Sequence, residues 1–556
     1  MRIETYNLEH WQKKLEEGSC SLQKNNFIDR LWKKDHTLWK EEDREISCRL
    51  GWLDSPRRME PMVEFYRQKA EEIRSSGTNF LALLGMGGSS LAPEAISRLL
   101  RSRPGWPQLM MLDSTSPLAV NSLASQVTRP GIKPLFLVSS KSGTTAETLS
   151  FLNYFYAREK ERAGSETGKS FSAITDPGTP LERLASELGF GLTIHGFPDV
   201  GGRFSALSPF GLFPAALIGF DLRTFLKPAI ESYELLLSGR YDHPGLKLGT
   251  FLGVLAENGL NKLTFILPAG LFSLGRWLEQ LIAESIGKEG KGILPVLENF
   301  PVSLESYTQD RVFVVYEVEG TTDIFWKGKI EELKKSGFPL IRISFVPEQL
   351  SAHFYLWELA TAVAGHFLQV NPFDQPDVEL TKKKTRELLA SGKIKTADLT
   401  EKTSEGEEVG LEARLRDFFV KKEKTPAYLA ILCFLPPGES LDVALSNLAR
   451  LVSEKYHLPC VWNYGPAYLH STGQLYKGDS GEGLFLGLVD SGSFDLPIPD
   501  LPGCPAPARS FRQLFLAQAR ADFAALKEKG RRVLALEIGE NLAEKIFVLS
   551  EIIRNL

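Results

Sequence analysis

The fold of this chain is decided by Phe80-Leu81-Ala82-Leu83-Leu84-Gly85-Met86-Gly87-Gly88-Ser89-Ser90, an apolar run that continues into a glycine-rich loop. The apolar run is typical of a strand buried on both faces, and the amphipathic stretch Leu91 to Leu100 that follows it predicts a helix. Glycines at a strand-to-helix turn let backbone N–H groups approach an anion, and the helix N-terminus adds a favourable field. The loop therefore predicts a phosphate site. Its spacing is neither a Walker A loop nor a full dinucleotide fingerprint, so an ordinary tight turn is the alternative.

Similar apolar runs recur along the chain between amphipathic stretches, and this alternation predicts an α/β protein. Two α/β units are expected at residues 56–235 and 236–390, with strands at 80–84, 109–112, 135–138, 171–174, 264–267, 312–318 and 340–345. Residues 1–55 mix aromatic with charged side chains and carry no strand pattern, so we expect an N-terminal helical arm there.

The last third of the chain predicts a linker and a further domain. Residues 391–425 are rich in charge, which is typical of a linker. Residues 426–556 predict a smaller C-terminal α/β domain, with strands at 428–435, 484–489 and 533–538, a helix at 511–526 and a proline-rich loop at 496–507.

Composition excludes several classes of protein. The chain has 556 residues, of which 43% are hydrophobic and 24% charged, as is ordinary for a soluble globular protein. Its 65 basic and 69 acidic side chains give a net charge of -4, so no global cationic field attracts nucleic acid. No stretch approaches about 18 uninterrupted apolar residues, and the polar start lacks a signal-peptide core. We therefore expect neither a nucleic-acid nor a membrane partner, and a cytoplasmic location.

Cysteine and histidine usage gives no indication of a metal or cofactor. The 5 cysteines are far apart and form no C-x-x-C pair, which favours reduced thiols over a disulfide framework or a thiolate zinc site. No cluster of His, Cys and carboxylate residues has ligand spacing either. We expect no cofactor.

A second motif, Ser139-Ser140-Lys141-Ser142-Gly143-Thr144-Thr145, also follows an apolar run and precedes a predicted helix. Ser and Thr are favoured at helix starts in any case, so N-capping is the simple explanation. Capping needs one hydroxyl, whereas this loop has five hydroxyls and a lysine. Several short donors at a positive helix end suit a phosphate dianion, so we predict an oxyanion cradle.

The third and fourth motifs supply charged groups. Arg203 follows Gly201-Gly202, and beside an anion site it becomes a candidate for holding developing negative charge, although a surface turn is the alternative. Gln280 and Glu284 are four residues apart on a predicted helix with an apolar face, so they share one side of it. A glutamate in this place is either solvated or directed into a site.

The fifth motif runs from Asn371 to Lys382. Pro376 suits the first turn of a helix. Seven residues are close to two helical turns, so Gln375 and Lys382 project on the same side. A solvated face is the alternative for the lysine run 382–384.

In this order the five motifs resemble the glucose-6-phosphate isomerase family, which has the sugar-isomerase fold of two stacked parallel-sheet domains. The resemblance runs from about residue 30 to the end and is closest to the isomerase half of bacterial transaldolase–isomerase fusions. It includes residues 203–208, 279–292, 371–378 and 469–475. The residues before Asn79 cannot hold the ~250 residues of a typical (β/α)₈ barrel, so we expect the isomerase reaction alone.

The resemblance implies interconversion of glucose 6-phosphate and fructose 6-phosphate by a homodimer. Glu284 matches the base that moves a proton between C1 and C2, Arg203 the residue near the enediolate oxygens, and Gln375 and Lys382 the residues of the closing helix. Gln280, Gly88 and Gly202 belong to the substrate pocket. The phosphate-binding residues that it implies are Ser89, Ser140, Lys141, Ser142 and Thr145.

The acid that opens the sugar ring does not follow cleanly from the resemblance. His470 is flanked by small polar residues and by Lys477, which favours a site. His353 stands before a predicted helix at 354–364, where a helix-start role also explains it. We prefer His470 to His353, and neither residue is the third alternative. Gly143 departs from the aromatic that many relatives carry.

Two other functions compete with this prediction. The first is isomerisation of another phosphosugar, such as mannose 6-phosphate. The second is a regulator that binds a sugar phosphate without turnover. Residues 1–61 contain no basic helix-turn-helix pattern, and both Glu284 and Lys382 are present, so the sequence favours an enzyme.

Overall fold

The computed structural model describes residues 1–320, 324–391, 410–420, 426–504 and 507–556. The N-terminal segment begins with a strand, contrary to the expected all-helical arm, and continues with four helices: β1 (Arg2–Tyr6), α1 (Gln12–Lys24), α2 (Phe27–Trp32), α3 (Ser55–Met59) and α4 (Val63–Ser75). Strand β1 pairs antiparallel with Leu340–Phe345, from Arg2 opposite Ser344 to Tyr6 opposite Leu340. Its partner lies more than 300 residues away, so no local pattern could reveal the pairing.

The first sheet is parallel, in the order β3-β2-β4-β5-β6. Its elements are β2 (Phe80–Gly85), α5 (Leu91–Leu100), β3 (Gln108–Leu112), α6 (Pro117–Val127), β4 (Pro134–Ser139), α7 (Ala146–Ala163), β5 (Phe171–Thr175), α8 (Pro180–Glu187) and β6 (Leu192–His195). The four predicted strands are confirmed, whereas the short, half-exposed β6 was not expected. The strand order reverses between the neighbours β2 and β4, and ligands bind at such switch points, beyond the carboxyl ends of the strands.

The second sheet has the order β1-β10-β9-β7-β8, with β1 as its antiparallel edge. Its elements are α9 (Pro209–Leu217), α10 (Leu222–Leu237), α11 (Pro244–Glu257), β7 (Lys262–Ile266), α12 (Phe272–Ile286), β8 (Leu294–Glu298), β9 (Arg311–Val318), α13 (Ile324–Lys335), β10 (Leu340–Phe345), α14 (Leu350–Leu368) and α15 (Pro376–Ser391). Strand β8 is an addition to the predicted set. Leu81 and Leu83 of β2 join Leu263 and Phe265 of β7 in one core cluster, so the two α/β units share a hydrophobic core.

Helices α11 and α14 pack closely because α11 carries glycine every fourth residue on one face. Gly245, Gly249 and Gly253 all face α14. A methyl group added at Gly249 would lie 2.5 Å from Cβ of Val363, which is shorter than any real contact. The missing side chains therefore allow the backbones of the two helices to approach each other.

The C-terminal domain has its own parallel sheet in the order β12-β11-β13-β16 and a small antiparallel pair, β14-β15. Its elements are α16 (Leu411–Val420), β11 (Tyr428–Phe434), α17 (Glu439–Tyr456), β12 (Cys460–Tyr464), α18 (Gly473–Gly478), β13 (Gly483–Asp490), β14 (Pro497–Pro499), β15 (Pro507–Ser510), α19 (Phe511–Glu528), β16 (Arg532–Ile538) and α20 (Leu542–Asn555). The three predicted strands and the helix are confirmed. The predicted fold class, two stacked sugar-isomerase-type α/β domains with a smaller C-terminal α/β domain, is confirmed as well.

Two local expectations for this region were wrong. The proline-rich stretch 496–507 is not only a loop, since it contains β14 and the start of β15. Within the predicted linker, residues 411–420 form α16, whose Leu415 and Phe418 are buried in the core of the C-terminal domain. The other linker residues, 392–409 and 421–425, lie outside the described part of the chain.

No helix in the described ranges combines the length and hydropathy needed to cross a bilayer.

Acid sensitivity of the fold is expected from His243, which begins α11. Its Nδ1 accepts the Gly245 N–H at 2.9 Å, so Nε2 carries the proton and donates to the Ser232 carbonyl at 3.1 Å. Burial lowers the pKa of His243 to about 4, against 6.5 unperturbed. Between these values only the unfolded chain takes up this proton. The free energy of unfolding therefore decreases by about 1.4 kcal/mol for each pH unit by which the pH is lowered.

His243→Asn, which keeps a capping side chain but cannot titrate, should reduce the pH dependence of the unfolding free energy by one proton over this window. Denaturant unfolding between pH 4 and 7 measures it. The exposed His10 provides the control, since His10→Asn should leave the slope unchanged. An unchanged slope in His243→Asn would contradict the assignment.

Candidate active site

Two glycine-rich turns meet at the carboxyl end of the first sheet. A methyl group added at Gly88 would lie 2.0 Å from the carbonyl oxygen of Gly202, so the turn after β2 touches the turn that carries Arg203. Gly87 has φ +54, a left-handed conformation that suits glycine. Its added methyl group would lie 2.8 Å from Nε2 of Gln280. The backbone packing thus brings the first, third and fourth motifs together.

The hydroxyl loop after β4 lies beside this contact. Gly85, the last residue of β2, faces the carbonyl oxygens of Ser139 and Ser89. Within the loop, the hydroxyls of Ser140 and Thr145 are 3.0 Å apart. Thr145 occupies the N-cap position of α7, but its side chain accepts no capping hydrogen bond. Simple capping therefore does not explain this hydroxyl, which lies at the positive end of an 18-residue helix.

Lys141 and Ser142, the other two residues of this loop that were predicted to bind phosphate, have different surroundings. Ser142 is exposed, with its Oγ 3.0 Å from Oγ1 of Thr144. Lys141 turns away from the loop hydroxyls. Its ammonium pairs with Asp176 and donates to the Phe197 carbonyl at 3.0 Å, and burial lowers its pKa. The structure therefore does not place the Lys141 side chain in the phosphate cradle, contrary to the sequence prediction, because its ammonium is paired with Asp176.

Arg203 is buried at the centre of the site and makes five hydrogen bonds, one for each N–H of its guanidinium. Nε donates to the Ser285 hydroxyl at 2.8 Å, Nη1 to Glu284 Oε1 at 3.1 Å and to Gln375 Oε1 at 2.7 Å, and Nη2 to the carbonyls of Pro372 at 2.6 Å and Asp374 at 2.9 Å. The side chain is therefore fixed in one orientation. It joins the helix of Glu284 to the loop of Gln375, whose amide nitrogen has no hydrogen-bond partner among the described residues.

Glu284 is held at both carboxylate oxygens. Arg203 binds Oε1, and Nε2 of Gln280 donates to Oε2 at 3.1 Å, across one helical turn as the spacing predicted. The same Nε2 donates to the His470 carbonyl at 2.7 Å. Glu284 is only 7% exposed, so its orientation is set by these partners and not by solvent.

Lys288, two residues beyond the end of α12, is a component that the sequence prediction missed. Its buried ammonium donates to the carbonyls of Asn371 and Asp374 and to Oδ1 of Asp374, each at 2.7 Å. Burial, together with the nearby charge of Arg203, lowers its pKa to about 8. Lys288 and Arg203 thus hold the same loop from two sides. The sequence shows only a glycine-lysine loop, which is usually exposed.

His470 enters the site from the C-terminal domain. Its Nε2 lies 3.0 Å from Oε1 of Glu147, in the first turn of α7, and Gln518 donates to the same oxygen at 2.6 Å. Burial alone would raise the pKa of Glu147, but the charge and hydrogen bond of His470 and the charge of Lys382 hold it below its ordinary value. Sequence analysis missed Glu147 and Gln518. The available signal for Glu147 was its position two residues after the hydroxyl loop.

His353 is not part of this arrangement. It lies inside α14, which begins at Leu350, so the predicted position before a helix is also wrong. The ring is fully buried, with Nδ1 3.2 Å from the Tyr316 hydroxyl and its centroid 4.2 Å from that of Phe345. Burial lowers its pKa to about 3. His353 therefore belongs to the core of the second domain.

Helix α15 begins at Pro376, as predicted. Gln474 of the C-terminal domain accepts the Asp377 N–H at 3.0 Å and donates to Oδ2 of Asp377 at 2.8 Å. Lys529 pairs with the other oxygen of that carboxylate at 2.6 Å. Lys382 is exposed on this helix, and its charge reaches Glu147. The C-terminal domain thus anchors the helix that carries Lys382 and also supplies His470.

Two stacked parallel-sheet units, hydroxyl and glycine loops at adjacent strand ends, and a buried glutamate tied to an arginine together define an enzyme of the sugar-isomerase class. Residues 69–292 match the family model described as phosphoglucose isomerase. The chain is 31% identical to the glucose-6-phosphate isomerase of Rubrobacter xylanophilus over 385 residues, which are 60% of this chain and 88% of that protein. The chain belongs to the glucose-6-phosphate isomerase family.

The chain is also similar to a second curated isomerase and, in its fold, to a solved structure. The glucose-6-phosphate isomerase of Heliobacterium modesticaldum is 31% identical over 424 residues, 66% of this chain and 90% of that protein. A crystal structure of a hypothetical protein from Thermus thermophilus superposes with a TM-score of 0.58 at 26% identity, over 70% of this chain and all of that one.

Proposed function

We propose that this chain interconverts glucose 6-phosphate and fructose 6-phosphate by ring opening and proton transfer between C1 and C2 through a cis-enediolate. The observation that carries the proposal is the Glu284 carboxylate, which is buried and fixed by Arg203 and Gln280 within the glycine and hydroxyl loops. The names of its relatives support glucose 6-phosphate as a substrate.

The phosphate group is bound by Ser89, Ser140, Ser142 and Thr145. These hydroxyls stand at the carboxyl ends of β2 and β4, and the N-terminus of α7 adds its dipole. Neutral donors at a helix start bind a dianion without a buried cation. Phosphate binding therefore does not require Lys141, whose ammonium is paired with Asp176.

Ring opening is assigned to His470. The C1 hydroxyl gives its proton to a solvent water molecule while the bond from C1 to the ring oxygen breaks, and the ring oxygen takes a proton from the protonated imidazole of His470. Glu147 holds Nε2 of His470, which leaves Nδ1 to deliver that proton. A histidine suits this task because it exchanges protons near neutral pH. Glu147 is then a positioning residue for the ring.

Hydrogen transfer is assigned to Glu284. The carboxylate takes the proton from C2 of the open aldose, the proton of the C2 hydroxyl passes to the oxygen on C1, and the carboxylate returns its proton to C1, which yields the ketose. Between the two steps the electron pair resides on the enediolate oxygens, and the fixed guanidinium of Arg203 stabilises that charge in a site with little water. Gln375 is oriented by Arg203 so that its amide nitrogen can donate to a substrate oxygen.

An assay that couples fructose 6-phosphate formation to a dehydrogenase tests the proposal. Turnover of glucose 6-phosphate, with solvent deuterium appearing at C1 of the ketose, is the expected result. Mannose 6-phosphate in the same assay measures the epimer range. Protection of the chain against heat by the sugar phosphate without any turnover would contradict the proposal and indicate a regulator.

His470→Ala should lower turnover of cyclic glucose 6-phosphate by ~10²-fold or more, because the general acid is lost. A four-carbon aldose 4-phosphate has no hydroxyl placed to close a ring, so deuterium exchange at its C2 should change little. Glu147→Gln should lower the cyclic rate by a smaller factor, with Glu147→Asp between it and the wild type. Equal losses with both substrates would contradict the ring-opening role, and His353→Ala serves as a control that removes a core histidine.

A further inference from the structure

A cavity of about 350 Å³ lies where the carboxyl ends of all three parallel sheets meet. Asp113 follows β3, Asn299 follows β8, and Tyr464 ends β12, and each of them lines the cavity. Glu284, Arg203 and His470 do not line it. The contact of Gly87 with Gln280 and the His470 carbonyl separates the cavity from the catalytic groups. This is the position in which α/β proteins bind ligands, and its size is within the range of small-molecule sites.

The charge in this cavity is unfavourable for a sugar phosphate. Its lining contains four carboxyl groups against two guanidinium groups: Glu94, Asp113, Glu279 and Asp442 face Arg98 and Arg276. Arg276 lies 3.3 Å from both Glu94 Oε2 and Asp113 Oδ2, so its charge is already balanced. A phosphate dianion would therefore compete with the Glu94 and Asp113 carboxylates for Arg276. Among the described residues no three His, Cys, Asp or Glu side chains are arranged to hold a metal ion.

Two buried polar groups in the lining lack adequate partners. Ser273 is 7% exposed, and its hydroxyl has no hydrogen-bond partner among the described residues. Glu279 is 6% exposed, and the only hydrogen bond to its carboxyl in the described ranges comes from Asn463 Nδ2, at 3.5 Å. Burial raises the pKa of Glu279 to about 8, so at neutral pH it is mostly an uncharged donor and acceptor. Buried polar groups are normally paired, so these two indicate a missing ligand.

The remaining wall is aromatic. The Trp462 indole lines the cavity with Tyr464, with their rings edge to face at 5.6 Å. An aromatic face beside carboxyl, amide, hydroxyl and guanidinium groups is suited to a sugar, whose C–H face packs on the ring while its hydroxyls both donate and accept. We propose that this cavity is a second binding site, which takes an uncharged sugar of monosaccharide size.

Calorimetric titration of the whole chain with D-glucose, D-mannose and D-galactose tests this proposal. At least one of these sugars should bind saturably, and the affinity should stay the same when the catalytic site is saturated with fructose 6-phosphate. Glu284→Gln should bind it equally well, which separates this site from the proposed function. Competition by fructose 6-phosphate, or no saturable binding of any of the three sugars, would overturn the proposal.

Two cavity variants locate the binding. Trp462→Leu removes the aromatic face and Ser273→Met fills the space, and each should weaken sugar binding by ~10-fold or more while kcat/KM for the sugar phosphate stays within about threefold. Thermal unfolding identifies a variant that fails to fold. The other variant then decides whether the sugar binds in this cavity. Unchanged sugar affinity in a folded variant would overturn the assignment, as would glucosamine binding more tightly than glucose, since that indicates a site for a cation.

Discussion

Glu284→Gln is expected to lower kcat for the isomerisation by at least ~10²–10⁴-fold while KM for the sugar phosphate changes only a few-fold. Glutamine keeps the size of the side chain and its hydrogen bond to Arg203, but it cannot accept the proton from C2. The phosphate group is bound by other residues, so binding should persist. The coupled assay measures kcat and KM, and incorporation of solvent deuterium measures the proton transfer itself.

The matched control for this variant is Glu279→Gln on the same helix. Glu279 is equally buried, but it does not contact Arg203, and its pKa of about 8 means that an uncharged glutamine replaces a mostly protonated carboxyl at pH 7. Its kcat should remain near that of the wild type. If the two variants lost activity equally, or if Glu284→Gln still exchanged the C2 hydrogen, Glu284 would not be the base.

Arg203→Lys is expected to lower kcat/KM by ~10²–10³-fold, although the positive charge is retained. A lysine has three donors and no planar fork, so it cannot replace the five hydrogen bonds of Arg203. The Pro372 carbonyl would lose its donor and the Asp374 carbonyl would keep only that of Lys288. A buried unpaired group costs about 1–3 kcal/mol. Gln375 would then lose its fixed orientation. Steady-state kinetics and denaturant unfolding measure the two effects.

Arg311→Lys separates the catalytic from the structural part of this result. Arg311 is also almost fully buried, and it donates to the Thr264 hydroxyl at 2.7 Å, within the second sheet. Its replacement should reduce stability but leave kcat/KM largely unchanged. Loss of activity in proportion to loss of stability in both variants would contradict a direct role of Arg203 in the reaction.

Much of the site was predictable because its motifs are local features of parallel strands. An apolar run followed by glycines or hydroxyls marks a strand end, and the ends of β2 and β4 must meet, since these strands are neighbours. The four-residue spacing of Gln280 and Glu284 likewise predicted a shared helix face, and the two side chains are hydrogen-bonded. The catalytic roles of these residues remain predictions.

Other members of the site depend on contacts that no spacing can reveal. Glu147 and His470 are 323 residues apart, and Glu147 and Gln518 are 371 apart. Each of these residues alone resembles an ordinary helix or loop residue. The ion pair of Lys141 was unpredictable for the same reason, because Asp176, its partner, comes from a different strand end.

The amino-acid sequence by itself determined the α/β class, most of the strands, and the loops that end them. The spacing of apolar residues and the residue preferences of turns depend only on a few neighbouring residues. Only the tertiary structure decided which charges are paired, that His470 lies beside the candidate site while His353 is buried in the core, and that a polar cavity lies between the three sheets. Hydrogen bonds and desolvation depend on distances between remote segments, and those distances exist only once the domains have packed against one another.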